Sequence, residues 1–510
     1  MLDNQQASRA LAGNRLQMLR HYWLEIAIVT ATIVVQSHLI LTSDLSWLLT
    51  VGERILAGGK LGIDVIELNP PLSWIVYLPG AWIGQRTPLP ADLAVLTMTV
   101  LFALLQVKLT LSLAGPWHHD GASRRRARIV LLAATLLLPA MHFGQREHLA
   151  VLGLLPFVAL VASPVPSTRT LRVLCGLGAG FAMCLKPHLA AVAGLPLLWA
   201  LARRPSWRNV FRIEALVAAA VVFAYVGMIV LFFPQILTAD ARLASQVYVT
   251  NREDLRTLLA YGFGATSIAS ILLVVLVIGP KSPDWRQAGP WCMAALGGAI
   301  SYLVQGKGFG YTLLPMVTLS LCIAWLSPTM LRETTPFSGR FAKARFAAVI
   351  VLTLELWVAM VEFRQDHGRF VPLITAHAPP HPALIAITPH ISIGEPLVRL
   401  VHGTWASAAG SQLTSGAVAR LERESKVSPE DRPGYARLVF AERARLRSDL
   451  VTRRPDVVMI DTYNFRQKFD WEGWARTDGE IDRVLRSDYA FFGEHEGIRF
   501  YFRRKPGAAE

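Results

Sequence analysis

The sequence predicts a polytopic α-helical membrane protein that ends in a small α/β domain outside the bilayer. Three observations carry this reading. Of the 510 residues, 53% are hydrophobic and 17% charged, and the mean hydropathy is +0.39, which is too apolar for a soluble protein of this length. The apolar residues gather into about eleven stretches of roughly span length, separated by short basic or polar segments. Beyond Phe363 the pattern changes to frequent charges, a break at Pro379, Pro380 and Pro382, and short apolar runs.

In order along the chain the stretches are 24–41, 92–113, 128–141, 149–163, 173–185, 189–202, 213–233, 257–279, 291–304, 311–327 and 346–363. Residues 1–22, with Arg9, Arg15 and Arg20, then form a cytoplasmic tail, residues 23–363 the membrane module, and residues 364–510 the outer domain. Cytoplasmic loops carry an excess of Lys and Arg, so the order can be checked. Alternate loops do differ. Arg124, Arg125, Arg126 and Arg128 fall on one side, as do Arg203, Arg204, Arg208 and Arg212, and Arg332, Arg340, Lys343 and Arg345. The opposite loops mix signs through Asp44, Glu53, Asp64, Glu67, Glu147, Asp240, Glu253 and Asp254. An odd span number puts the N-terminus inside and the C-terminal domain outside. In the cytoplasmic (inner) membrane of a bacterium, that domain is periplasmic.

The net charge of +15 invites a nucleic-acid reading, but much of the excess sits in the cytoplasmic loops, and topology accounts for it without a nucleic-acid partner. The first span is long and lacks a small-residue cleavage pattern, so it reads as an uncleaved anchor. Cys175, Cys184, Cys292 and Cys322 all fall in predicted spans, which argues against a disulfide framework or a cysteine metal site. In the outer domain, 383–387 and 456–460 read as buried strands, 435–453 as a helix, and 498–502 as a closing strand.

The first outer loop, 44–91, concentrates the chemistry. Its apolar residues Leu45, Leu48, Leu49, Ile55 and Leu56 recur at helical spacing, predicting an amphipathic helix along the membrane interface. At its start, Asp44 reads in two ways: as an N-cap worth about 1 kcal/mol, or as a carboxylate presented for catalysis.

Asp44, Trp47, the run Gly52 to Gly59, Asp64 and the turn Asn69-Pro70-Pro71-Leu72 together resemble the first outer loop of the GT-C superfamily. Those are polytopic glycosyltransferases, including protein O-mannosyltransferases and aminoarabinose-lipid A transferases, that take a sugar from a polyprenyl phosphate. The resemblance extends to span count, orientation and the C-terminal outer domain. It implies a GT-C-like fold with a polyprenyl-phosphate-sugar donor and a glycan, lipid or protein acceptor. It also implies that Asp44 is the catalytic base on the acceptor, with Asp64, or Glu67 in its place, orienting the acceptor or stabilising charge on the sugar. Single-step inverting transfer suits one base. The sequence departs from the family where Leu45 follows Asp44 and Thr312 follows Tyr311.

A phosphate leaving group calls for cations at the outer surface. Lys307, in the segment Gln305 to Tyr311, resembles the family's late Gln-x-Lys-x-x-x-Tyr motif, which adds Tyr311 to the substrate-binding candidates. Lys186 precedes Pro187 and His188, and Arg146 opens Arg-Glu-His; charges this near the spans are functional candidates, with snorkelling to the headgroups as the alternative. No cofactor is required. A divalent cation held by Glu147, His148 and His188 with the first-loop acids stays open, without any fixed ligand spacing to support it. The rival functions are a lipid-linked-sugar transporter or flippase, and a glycan polymerase or ligase using another outer loop. Against the transporter, the spans show no internal repeat and the charges lie at helix ends.

Overall fold

The computed structural model describes residues 22–113, 115, 118, 120–206, 211–250, 252–260, 285–330, 367–462 and 469–504. The tail arginines, Arg208, the basic residues from Arg332 to Arg345, most of 257–279 and all of 346–363 lie outside the described residues. The chain is mostly helical and divides into two compact units. One takes residues 1–39, 96–223 and 254–363, and the other residues 40–95, 224–253 and 364–510.

In the first unit, the predicted spans appear as helices at Tyr22–His38, Arg146–Ala162, Arg169–Leu185, Ala190–Arg203, Trp285–Gln305 and Leu314–Met330. Every residue of Arg146–Ala162 is buried, and this helix packs on Arg169–Leu185 so closely that a Cβ on Gly153 would stand 2.7 Å from the Gly178 carbonyl oxygen. Small residues at such crossings let the backbones approach. Ile213–Phe232, whose residues from 224 on belong to the other unit, is the opposite case. Apart from buried Glu214 and Ala218 it exposes apolar side chains such as Phe223, Leu231 and Phe232, as a lipid-facing helix does.

The span count is shorter by length and apolarity than the sequence suggests. Among the described residues, two helices qualify, Ala91–Ser112 and Ile213–Phe232, with a third if Tyr22–His38 and Ser43–Leu56 form one bent span. Arg146–Ala162, Arg169–Leu185 and Ala190–Arg203 are helices of only 14 to 17 residues, with breaks such as Pro187 between them, and Trp285–Gln305 reaches 21 residues without meeting the apolar test. The basic loop predicted before residue 128 is also revised. Asp120 accepts the Ser123 N–H at 2.6 Å and starts a helix over Gly121–Leu132, so Arg124, Arg125, Arg126 and Arg128 are helical.

The second unit holds a five-stranded sheet of β1 (Ala383–Ile387), β2 (Thr404–Trp405), β3 (Val457–Asp461), β4 (Tyr489–His495) and β5 (Ile498–Arg503), in the order β2-β1-β3-β5-β4. β1 is parallel to β2 and β3; β5 runs antiparallel to β3 and β4. Glu496 and Gly497, at φ 50° and 76°, make the tight turn of the β4–β5 hairpin. Ile385, Ile387, Val458 and Ile460 pack with Trp471, Trp474 and Tyr501 in the core of this domain. The four elements expected from sequence are present; β2 and β4 are additional.

The first outer loop belongs to the same unit. Its helix, Ser43–Leu56, differs from the expected surface helix, because Leu45 to Gly52 are buried without interruption. Its N-cap is Thr42, and Asp44 sits in the first turn rather than at the cap.

Candidate active site

Three conformational stops in the first unit position its polar cluster. The Arg169–Leu185 helix ends at Lys186 because Pro187 has no N–H and disfavours a helical residue before it; Lys186 is accordingly extended, at φ −148° and ψ 104°. Gly144, at φ 77°, turns the chain into Arg146–Ala162, whose first residues are Arg146 and Glu147. After Gln305, Gly306 and Gly308 take φ values of 64° and 69° on either side of Lys307, a left-handed geometry that a side chain would strain.

These stops bring four of the predicted substrate-binding residues, Arg146, Lys186, His188 and Tyr311, together with Glu147. Lys186 Nζ lies 2.5 Å from a carboxylate oxygen of Glu147 and 5.6 Å from the ring centre of Tyr311. Arg146 is buried, and its charge acts on Glu147 and, with Lys186, on His188. His188 Nε2 is 3.1 Å from the Gln305 amide. Tyr311 stacks on Phe309 at 5.5 Å and meets His142 edge-on at 5.8 Å. Lys307 lies half-buried in the loop between Gln305 and Tyr311. The Lys186–Glu147 pair is 13% and 1% exposed, and such a pair holds only while both charges remain.

The metal alternative is not assembled. His148 accepts the Gly144 N–H at Nδ1, and its Nε2 is spent on the Thr135 carbonyl at 2.8 Å, so neither ring nitrogen is offered to an ion. Among the described residues no group of three His, Cys, Asp or Glu side chains could hold a metal.

In the second unit, Asp44 is half-buried in the first turn of Ser43–Leu56. The two loop acids separate in role. Asp64 is exposed, and its side chain accepts the Lys60 N–H at 2.9 Å, which closes a turn. Glu67 faces the helix: one oxygen accepts the Trp47 indole N–H at 2.6 Å, and the other accepts both the backbone and side-chain N–H of Asn69 at 2.7 and 2.6 Å. Asn69 thereby enters the Pro70-Pro71 turn with a fixed direction.

The same helix is gripped by the C-terminal domain. Ser46 and Thr50 donate to the two oxygens of fully buried Glu395 at 2.5 and 2.9 Å, and Arg399 reaches Ser46, Thr50 and Glu53. Arg54 donates to the Ser407 and Trp405 carbonyls. Burial pushes the Glu395 carboxyl above its ordinary range, against the pull of Arg399 and the two hydroxyls.

No protein-family model matches the sequence, and no curated protein does. Solved structures do. The crystal structure of ArnT from Cupriavidus metallidurans in the apo state superposes at a TM-score of 0.58 with 12% identity, covering 96% of this chain and 98% of that one. The structure of ArnT from the same organism bound to undecaprenyl phosphate follows at 0.54 and 12%, over 94% and 98%. The chain has the fold of these ArnT structures.

Within this ArnT-like fold, sequence reasoning missed Glu53, Glu395, Arg399 and His142. The signal for His142 was present two residues before Gly144, but an apolar run hid it. Arg399 and Glu395 carried no local signal, because their partners are more than three hundred residues away.

Proposed function

We propose that this chain is a multi-pass membrane glycosyltransferase. It transfers a sugar from a polyprenyl-phosphate donor to a glycan, lipid or protein acceptor on the outer face of the cytoplasmic membrane. The observation that carries the reading is the ArnT-like fold over 96% of the chain, shared with an ArnT structure that holds undecaprenyl phosphate. The Arg146–Glu147–Lys186–Tyr311 cluster supports it, since a phosphate-bearing donor needs cations and hydrogen-bond donors at a site away from bulk water.

In this reading Asp44 takes the proton of the acceptor hydroxyl or amine as that atom bonds to the anomeric carbon. The bond from that carbon to the phosphate oxygen breaks, and polyprenyl phosphate leaves with the electron pair. A positioned base of this kind contributes roughly two to four orders of magnitude. Lys186, Lys307 and Arg146 attend the phosphate, with Tyr311 and His188 beside it. Glu67, held by Trp47 and Asn69, is better placed than exposed Asp64 to organise the loop next to Asp44. Attack by the acceptor in one step inverts the anomeric centre, and the reading calls on no cofactor. The N-terminus is cytoplasmic, the C-terminal domain is outside, and the full chain crosses the membrane about eleven times, counting the shorter helices as spans.

The test is a reconstituted transfer assay with radiolabelled polyprenyl-phosphate sugars and membrane extract, run beside Asp44→Asn. Label moving to a new product with the native chain and not with the variant supports the enzyme. Donor binding without transfer by the native, folded chain would overturn the reading in favour of a carrier.

A further inference from the structure

A groove in the first unit lies apart from every residue assigned above. It encloses about 660 Å³ between the start of Tyr22–His38 and one face of Gly121–Leu132, and Trp23, Leu24, Arg125, Arg126, Ile129 and Val130 line it. Its walls are tied by one ion pair. Arg128 donates to Glu25 from Nε at 2.9 Å and from Nη2 at 2.7 Å, and lies 4.6 Å over the Tyr22 ring. Glu25 is thereby committed to Arg128. Arg126 feels the Asp120 carboxylate, whose oxygens are engaged by Ser123.

Arg125 is the informative residue. Its Nε is buried, yet it has no hydrogen-bond partner among the described residues. A guanidinium N–H removed from water without an acceptor is costly, and an incoming anion relieves that cost. The rest of the lining excludes a small soluble anion as the natural occupant, because Trp23, Leu24, Ile129 and Val130 are apolar. Trp23 is 56% exposed, and Ile26, Ile33, Val34 and Val35 continue an exposed apolar surface along the same helix. Basic heads above an apolar wall, with an aromatic ring at the junction, match the chemistry of a lipid headgroup.

We propose that this groove binds an anionic phospholipid. Arg125 and Arg126 donate to the phosphate oxygens, while Trp23, Leu24, Ile129 and Val130 flank the glycerol and upper acyl chains. The pairing of Arg128 with Glu25 keeps that third guanidinium out of the site and makes it a strut. The inference rests on the chain lying in a membrane and is independent of glycosyl transfer, since no residue of the groove belongs to the candidate active site.

The experiment is native mass spectrometry of the full-length, delipidated protein, titrated separately with phosphatidylglycerol, phosphatidylethanolamine, undecaprenyl phosphate and inorganic phosphate. The native chain is expected to hold phosphatidylglycerol in preference to phosphatidylethanolamine. The Arg125→Gln/Arg126→Gln variant, which leaves Glu25 and Arg128 intact, is expected to bind phosphatidylglycerol about 30-fold more weakly. Unfolding temperature without lipid reports whether the double variant is intact, and the single Arg126→Gln, at an exposed position, serves in its place if it is not. Equal binding of the two phospholipids, or no loss in the variants, would overturn the proposal. So would displacement of phosphatidylglycerol by inorganic phosphate at matched concentration, or a preference for undecaprenyl phosphate through the same arginines.

Discussion

Both terminal nitrogens of Arg399 donate to the two carboxylate oxygens of Glu53, at 3.0 and 2.8 Å, across 346 residues of sequence. The same guanidinium reaches Ser46 and Thr50, which also serve Glu395. One fork thus ties three positions of the helix carrying Asp44 to the C-terminal domain. Planar, two-pronged contact of this kind fixes direction as well as distance.

Arg399→Gln is therefore expected to lower stability by about 2 kcal/mol, the cost of losing hydrogen bonds to a charged group at a partly exposed site. Arg399→Lys recovers part of the charge and none of the fork, so it should fall between the two. Denaturant unfolding in detergent of Arg399→Gln, Glu53→Gln and the double variant checks this. A double-mutant cycle with no coupling energy would remove the pair from the account.

Glu395 predicts a pH dependence. Its folded pKa is raised by burial, so between the ordinary carboxylate value of 4.5 and the folded value the native state binds more protons than the unfolded state. Its contribution is fully present below 4.5 and is lost as pH rises through the folded value. Glu395→Gln, which cannot ionise, should lose this slope, so its melting temperature relative to the native chain should rise from pH 4.5 toward neutrality. A constant offset across that range would contradict the burial argument.

In the cluster around Glu147, Lys186→Met removes the cation in direct contact with the buried Glu147 carboxylate and leaves only Arg146 to balance it, and is expected to cost about 3 kcal/mol. Adding Glu147→Gln should restore most of that stability, because the two charges leave together. Transfer activity should stay low in both, since the phosphate recognition proposed for the lysine is separate from its part in stability. Melting temperature and labelled-product yield, measured on the same preparations, distinguish the two.

Gly306 and Gly308 hold positive φ on either side of Lys307. Alanine at either position should cost about 1 kcal/mol in backbone strain and shift the ammonium. The expected signature is a raised KM for the polyprenyl-phosphate donor with a smaller change for the acceptor. Equal changes in both would indicate that the loop does not face the donor.

By itself, the sequence determined what depends on local chemistry. The apolar stretch 213–233 matches a helix at Ile213–Phe232, the strand read at 383–387 is β1 residue for residue, and the break at Pro187 places Lys186 beyond the end of its helix. Periodicity and proline stereochemistry act within a few residues, so they can be read along the chain. Tertiary structure alone decided that Leu45 to Gly52 are buried without interruption, that Glu67 and not Asp64 turns toward Trp47, and that Glu147 meets Lys186. It also decided that Arg399 and Glu395 hold the helix of Asp44. Each of these is a pairing of charges or hydrogen-bond partners brought together by folding over tens to hundreds of residues. No composition or spacing encodes such a pairing, because its energy exists only once burial has removed the water that would otherwise satisfy both groups.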